Sequence, residues 1–134
     1  GMMKLSAVRD YIAVLGITPK VYIGKLDAKE NQSIGVYSRE TSGMPNMPIG
    51  GVDLATYEVK PVSLLIHWNR LKNESEDTAY RLFDMLIKAD NLIIDDKPVA
   101  YVRLMTPEPQ DVGTDEKGIY EYVIWVDFVY RKEQ

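Results

Sequence analysis

The chain has 134 residues and a formal net charge of −4, from 16 basic and 20 acidic side chains. A chain of this length buries roughly two thirds of its unfolded surface on folding, so we expect one domain over residues 2–134. The acidic balance argues against a nucleic-acid surface built from clustered lysine and arginine. The absence of cysteine excludes disulfides, thiolate nucleophiles and cysteine zinc sites. No apolar run approaches the ~18 residues of a membrane span, no signal peptide is visible, and Gly1 before Met2 has the form of a cleaved-tag remnant.

The first third of the chain predicts a helix followed by a β-hairpin. Apolar residues recur at helical spacing from Leu5 to Leu15. Ser6 is the candidate N-cap, and Gly16 stands where a C′ glycine would end the helix. Residues 20–26 and 33–39 have strand character and flank a polar turn, so we expect them to pair as a hairpin.

A long segment from Arg39 to Thr56 has neither helical nor strand periodicity. Its centre, TSGMPNMPIGG at 41–51, is rich in glycine, proline and methionine rather than in the charged residues of a solvated linker. Loops of this length in a compact domain are usually functional or disordered, and apolar side chains on a projecting loop favour burial against another copy of the chain. The candidate subunit-interface residues are Met44, Pro45, Met47, Pro48, Ile49, Gly50, Gly51 and Val52, together with Pro61 in the next strand.

The central part of the chain predicts a strand and then a helix. Residues 57–68 form the strand, and Pro61 should place it at a sheet edge or at a bulge because proline lacks an N–H. The acidic residues of 73–77 suit the first turn of a helix, where they complement the helix dipole. The predicted apolar stripe of this helix consists of Ala79, Leu82, Phe83, Leu86 and Ile87.

The last third predicts a short hairpin over 91–105, a polar loop over 111–118 and a long strand over 119–130. In this last strand every even position is apolar or aromatic, which indicates one face on the core. Glu121 and Asp127 indicate that the other face is partly wet. The element order predicts an α+β fold: a mostly antiparallel or mixed sheet with two helices packed on one face, plus the long projecting loop.

Three groups of residues could carry chemistry, and each has a simpler structural interpretation. His67, the one histidine, has no paired nucleophile motif, so we expect a partly exposed strand residue. Asp53, Glu58 and Lys60 match the acid…acid-x-Lys pattern of some magnesium-dependent nucleases, but such strings are frequent in charged strands. The third group, which lacks the spacing of an EF-hand, is more typical of a solvated turn. It comprises Glu108, Asp111, Asp115 and Glu116.

Several runs taken together resemble one protein family over nearly the whole chain. They are YIGKLD at 22–27, SIGVY at 33–37, IGG at 49–51, SLLIHWN at 63–69, PEPQDVGTD at 107–115 and GIYEY at 118–122. The chain resembles the minor capsid proteins of prophages of Gram-positive bacteria, which are similar to the tail-terminator, or tail-to-head joining, proteins of long-tailed phages. The resemblance implies an α+β subunit of a ring, a hexamer, that caps the tail tube. It implies no catalytic residue, cofactor or metal.

The resemblance also implies partners and a location. The partners are further copies of the chain, the tail-tube protein and the head-connector protein, and the location is the virion after assembly in the host cytoplasm. DNA would pass through the ring without specific binding, which suits an acidic channel lined by Asp27, Glu30, Asp111, Asp115 and Glu116. Two alternatives stay open: the metal-dependent nuclease of Asp53, Glu58 and Lys60, and a phage adaptor that binds a protein through loop 41–52 without forming rings.

Overall fold

The computed structural model describes residues 2–24, 31–40 and 56–132, which form two helices and seven strands. Their order is α1 (Leu5–Val14), β1 (Val21–Ile23), β2 (Ser33–Ser38), β3 (Tyr57–His67), α2 (Lys72–Ile87), β4 (Ile93–Ile94), β5 (Lys97–Leu104), β6 (Gln110–Thr114) and β7 (Tyr120–Arg131). The predicted α+β class is confirmed. The predicted loop 41–52 lies outside the described residues.

One sheet with the strand order β1-β2-β3-β7-β5-β4 organises the fold. The long antiparallel ladder of β3 and β7 forms its centre and runs from the pair Tyr57 and Arg131 to the pair His67 and Glu121. Beyond this ladder, β7 pairs with β5 along its second half and with β6 along its first half. All of these pairs are antiparallel, whereas β1 and β2 are parallel, so the sheet is mixed.

The core lies between the helices and one face of the sheet. The even positions of β7 from Tyr122 to Tyr130 are all buried, as the period of two predicts. They share the core with Val62, Leu64 and Ile66 of β3 and with the buried stripes of both helices. The helices lie over different strands, α1 over β1 and β2 and α2 over β7, β5 and β3. The predicted packing of two helices on one face is therefore confirmed.

The ends of α1 follow the sequence signals only in part. The helix begins at Leu5 after an extended Lys4, without a side-chain cap, so the prediction of Ser6 as N-cap is wrong. The Lys4 amide donates instead to the Asp95 carboxylate at 2.9 Å, which anchors the chain just before the helix. Gly16 has a φ of +79°, as predicted for a C′ glycine, because other residues rarely adopt that conformation.

The apolar stripe of α2 is confirmed at four of its five positions. Ala79, Leu82 and Leu86 are fully buried and Phe83 is 7% exposed. Ile87, in contrast, is 56% exposed, so its assignment to the stripe is wrong. Leu86, in the same turn, is fully buried, so Ile87 is exposed because it lies at the side of the buried stripe.

The predicted hairpin of the first two strands is wrong. Val21 pairs with Ile34 and Ile23 with Val36, so β1 and β2 run in the same direction. A parallel connection usually needs a dozen or more residues. Here β1 has only three residues, and the chain must return by only about 10 Å, which the nine residues 24–32 can span.

The polar stretch 111–118 is not a simple loop. Residues Gln110–Thr114 form β6, which pairs with β7 although all five residues are exposed. The polar composition therefore concealed a strand that pairs with β7 through its backbone. The short hairpin of β4 and β5 is confirmed, and its turn residues Asp95 and Asp96 have φ values of +56° and +59°, as a two-residue primed turn requires.

Pro61 lies in the central strand β3 opposite Asp127, in an uninterrupted ladder, so the expected edge or bulge is wrong as stated. The reason is local, because β2 ends at Ser38, opposite Val62. The Arg39 amide donates to the Pro61 carbonyl at 3.1 Å, which shows that Pro61 turns its polar atoms towards the side that β2 has just left. The missing N–H therefore costs no bond to β7.

Candidate assembly surface

The face of the sheet opposite the helices, here called the open face, carries large apolar side chains in partial contact with solvent. Tyr101, Met105 and Trp125 are 50%, 41% and 45% exposed. Trp125 stands opposite Ser63 of β3, a small neighbour that leaves much of the indole uncovered. Around these residues lie the half-buried Tyr37, Leu65 and Val123. The described part of the chain provides no second layer over this surface comparable to the helices on the other face.

Two arginines and one aspartate form a buried charge cluster on the open face. Asp127 was expected to be partly wet, but it is only 3% exposed, so that expectation is wrong. One of its carboxylate oxygens accepts from Arg39, and the other lies 3.4 Å from Arg103 Nη2. A desolvated carboxylate needs such partners, because an unpaired buried charge is strongly unfavourable.

Arg39 connects this cluster to the exposed indole. Its guanidinium lies 5.4 Å from the centroid of the Trp125 ring and also donates to the Val62 carbonyl at 3.2 Å. An arginine held on two sides restricts the ring against which it stacks, and a cation over an indole face is itself favourable. Trp125 is therefore braced at one face and open to solvent elsewhere.

One end of the open face is closed by a pair of tyrosines. The rings of Tyr57 and Tyr101 have centroids 6.4 Å apart, and the Arg131 guanidinium lies 5.9 Å from the Tyr57 ring. Val129, between Val59 and Tyr101 in the sheet, is fully buried. The exposed part of the face therefore extends from Tyr101 to Trp125 and Met105.

His67 occupies a buried position near the other end of the open face. It is 2% exposed, so the expectation of a partly exposed strand residue is wrong. Its Nδ1 atom lies 3.0 Å from Glu121 Oε2, and its Nε2 atom lies 3.7 Å from Asp115 Oδ2. Within the described residues Nε2 has no hydrogen-bond partner. Two acidic side chains, one from β7 and one from the β6–β7 turn, therefore face the two nitrogens of this ring.

The residues of the nuclease hypothesis do not form a shared site among the described residues. Glu58 accepts a 2.9 Å hydrogen bond from the Tyr130 hydroxyl, which in turn accepts from the Met3 amide at 3.0 Å. Glu58 therefore takes part in anchoring the N-terminal segment. Lys60 lies two residues further along β3, opposite Phe128, and Asp53 lies outside the described residues.

The acidic residues near the β6–β7 hairpin have separate structural roles. Glu108 accepts from the Tyr80 hydroxyl at 2.8 Å, and Asp111 lies 3.5 Å from Lys72 Nζ. Glu116 is exposed in the turn. In residues 2–24, 31–40 and 56–132, no group of three His, Cys, Asp or Glu side chains is placed to hold a metal ion.

Asp115 organises the turn between β6 and β7. Its Oδ1 atom accepts from the amides of Lys117 and Ile119 at 2.8 and 2.9 Å. Desolvation opposes ionisation, but these hydrogen bonds and the neighbouring charges outweigh it and lower the pKa of Asp115. The predicted solvated turn that ends at Gly118 is confirmed. Gly118 has a φ of +81°, a conformation that residues other than glycine rarely adopt.

Of the predicted interface residues, only Pro61 can be placed. It is opposite Asp127 and next to Arg39, within the buried charge cluster of the open face. The others, Met44, Pro45, Met47, Pro48, Ile49, Gly50, Gly51 and Val52, lie outside the described residues, as do Asp27 and Glu30 of the predicted channel.

Sequence reasoning missed the residues that give the open face its character. Arg39, Arg103 and Trp125 were not singled out, and Asp127 was interpreted as a sign of solvent. A signal existed, since an acidic residue and a tryptophan both face the same side of an otherwise apolar strand. The arginines that pair with Asp127 come from separate parts of the chain, so their proximity required the sheet order.

The prominent features of the fold and of the open face are structural contacts. The profile of a protein family described as bacteriophage tail terminator protein matches residues 9–131. The match spans both helices and all seven strands apart from the first turn of α1. The chain therefore belongs to the bacteriophage tail terminator family, a family of structural phage proteins, and is a virion component of the tail. A comparison with curated proteins found no match.

Neither α1 nor α2 is long and apolar enough to cross a membrane.

Proposed function

We propose that this protein is a ring-forming subunit that ends the phage tail tube and joins it to the head connector. The match to the tail terminator family over residues 9–131 supports the structural role in the tail. The copy number that we propose is six, because the resemblance noted from the sequence implies a hexamer. Its proposed partners are further copies of itself, the tail-tube protein and the head-connector protein, met during assembly in the host cytoplasm.

The observation that carries this proposal is the exposed and braced Trp125 on the open face. Tryptophan, tyrosine and arginine are the residue types enriched at interface hot spots, and Trp125, Tyr101 and Arg103 are all partly exposed here. Because a closed ring joins two different surfaces of each subunit, we propose that the open face of one copy receives a different surface of the next copy. Arg39 holds the indole in place before contact, which reduces the entropy lost on association.

The segment 41–52 is proposed as a second contact with the neighbouring copy or with the tube. The proposal rests on its content of methionine, isoleucine and valine between glycines and prolines. Its flanking residues connect it to the open face, because Arg39 lies beside Trp125 and Tyr57 begins β3.

The role that we propose involves no catalysis, and DNA would pass without specific binding. Glu58, one of the nuclease candidates, is engaged with the Tyr130 hydroxyl. The net charge of −4 gives the chain a like-charge repulsion for phosphate. The proposal of an acidic channel requires Asp111, Asp115 and Glu116 to face the ring axis, and it fails if they lie on the outer rim.

A binding experiment with assembled tail tubes tests the proposal. We expect the wild-type protein to cap tube ends, seen in electron micrographs, and to permit joining to connector-bearing heads. Trp125→Ser should weaken self-association and capping by at least about tenfold if the indole is a hot spot. Tyr80→Ser is the matched control, because Tyr80 is an aromatic of similar exposure, 39%, on α2.

The outcomes separate the alternatives. No loss in Trp125→Ser would contradict the role of the open face, whereas loss in both variants would assign α2 to the surface of the next copy that the open face receives. A monomer that binds another phage protein through residues 41–52 but never caps a tube would instead support the adaptor hypothesis.

A further inference from the structure

The environment of His67 contains more acceptors than a neutral imidazole can satisfy. Glu121 Oε2 lies 3.0 Å from Nδ1, and a carboxylate can only accept, so Nδ1 carries a proton and donates it. In the neutral ring the other nitrogen, Nε2, is then an acceptor. It faces Asp115 Oδ2 at 3.7 Å, a second acceptor, and has no hydrogen-bond partner among the described residues.

A second proton on the ring removes this conflict. With both nitrogens protonated, the charged ring forms an ion pair with Asp115, whose Oδ2 atom lies 3.7 Å from Nε2, while Nδ1–H keeps its bond to Glu121. The ring then bridges β7 and the β6–β7 turn from its own position on β3. Asp115 is ionised in ordinary buffers because the amides of Ile119 and Lys117 lower its pKa against the opposing effect of desolvation.

We propose that His67 stabilises the β6–β7 turn through an ion pair that exists only while both of its ring nitrogens are protonated. Protonated at both nitrogens, it holds Asp115 against β3, and loss of the second proton releases Asp115 Oδ2 and loosens the turn. Asp115 transmits the change, because the same carboxylate accepts through Oδ1 from the Lys117 and Ile119 amides. This inference is independent of the proposed ring and would hold for an isolated subunit.

Other groups near the His67 ring also influence its charge environment and the stability of the turn. From β7 the acidic neighbour is Glu121, from the turn it is Asp115, and Ser33 of β2, opposite His67 in the sheet, is uncharged. Lys117 lowers the pKa of Asp115 from the far side of the turn. Arg70 Nε donates to the Lys117 carbonyl at 2.9 Å and so fixes the turn at a second point that does not depend on His67. Release is therefore expected to be local rather than to unfold the hairpin.

Nuclear magnetic resonance tests the proposal directly on the wild-type protein. His67 is the one histidine of the sequence, so a long-range ¹H–¹⁵N spectrum reports a single imidazole. Across the pH range in which the protein stays folded, we expect Nδ1 to stay protonated while Nε2 loses its proton as the pH rises. Hydrogen-exchange protection of the Lys117 and Ile119 amides should fall by about tenfold as that proton is lost, after correction for intrinsic exchange.

Asp115→Asn is the matched variant. Its amide oxygen can still accept from the backbone of the turn, and its N–H group can donate to a neutral Nε2. We expect the turn of this variant to stay protected when the ring is neutral, which is the state in which the wild-type turn loosens. His67→Gln should likewise remove the pH dependence.

Three results would overturn the proposal. One is an Nε2 atom without a proton across the whole range, and another is protection of Lys117 and Ile119 that does not follow the titration. The third is an Asp115→Asn variant with the same pH dependence as wild type.

Discussion

The buried aspartate on the open face gives the sharpest stability prediction. Asp127 is 3% exposed and pairs with Arg39, whose side chain is 12% exposed, and with Arg103, whose side chain is 38% exposed. Asp127→Ala leaves the Arg39 guanidinium buried without its counter-charge. Breaking a buried pair in this way costs about 3–5 kcal/mol.

The structure places the expected value near the lower end of that range. Arg39 keeps its hydrogen bond to the Val62 carbonyl and its contact with the Trp125 ring, which compensate part of the loss. We therefore expect Asp127→Ala to lower the free energy of unfolding by about 3 kcal/mol. Arg103→Gln removes a longer and more exposed pair and should cost about 1 kcal/mol or less.

Urea unfolding followed by circular dichroism measures both variants under the same conditions. The slope against denaturant should stay unchanged, so that the midpoints report stability. A cost below about 1 kcal/mol for Asp127→Ala would refute the reasoning, because it would mean that Asp127 is solvated, as the sequence pattern first indicated.

Three further predictions concern the core, an alkaline titration and the long segment. Phe83→Ala should lower the free energy of unfolding in urea by about 3–5 kcal/mol, because Phe83 is only 7% exposed. Ile87→Ala should lower it by less than about 1 kcal/mol, because Ile87 is 56% exposed. Equal costs would contradict the packing of α2. Burial, with nearby acidic charges, raises the pKa of Tyr122 from 10.0 to about 12, so stability that is fully present below pH 10 is lost as pH rises through 12. Tyr122→Phe, which removes a buried hydroxyl without a partner among the described residues, should be at least as stable as wild type at neutral pH and lose less stability in unfolding curves between pH 10 and 12. Deleting 43–51 should leave a folded monomer by circular dichroism and light scattering, and loss of folding would show that the segment belongs to the core.

Local periodicity predicted the core well because the spacing of apolar residues indicates which face of a helix or strand is buried. The alternation along 119–130 predicted the buried face of β7, and the 3.6-residue stripe predicted four buried positions of α2. The prediction for Ile87 failed because this residue lies at the margin of the stripe, where apolar character alone does not decide burial. The prediction of Ser6 as the N-cap failed because the backbone before α1 is bound by a distant carboxylate, that of Asp95, rather than by a local side chain.

Strand pairing and buried charges were beyond the sequence pattern. Nothing in 20–39 distinguishes a parallel pair from a hairpin, and the polar composition of 110–114 hid a strand that is held by its backbone. Asp127 and His67 looked like solvent-facing residues because their partners come from distant parts of the chain. Arg39 is 88 residues from Asp127, and Glu121 is 54 residues from His67.

The open face of the candidate site could be predicted only in outline. The sequence indicated that one face of β7 was different from the core face, but not that Arg39 would stack on Trp125. The predicted interface residues of 44–52 remain predictions. Family membership, in contrast, was accessible from the sequence, because six dispersed runs together resembled tail terminators before the fold was known.

The mass of the purified protein across a concentration series, by light scattering with negative-stain images of the same fractions, tests the proposed ring most directly. The account predicts a closed ring of about six copies, alone or on addition of tail tubes, and its loss in Trp125→Ser. A single-subunit mass at every concentration, with no ring at the ends of added tubes, would contradict it.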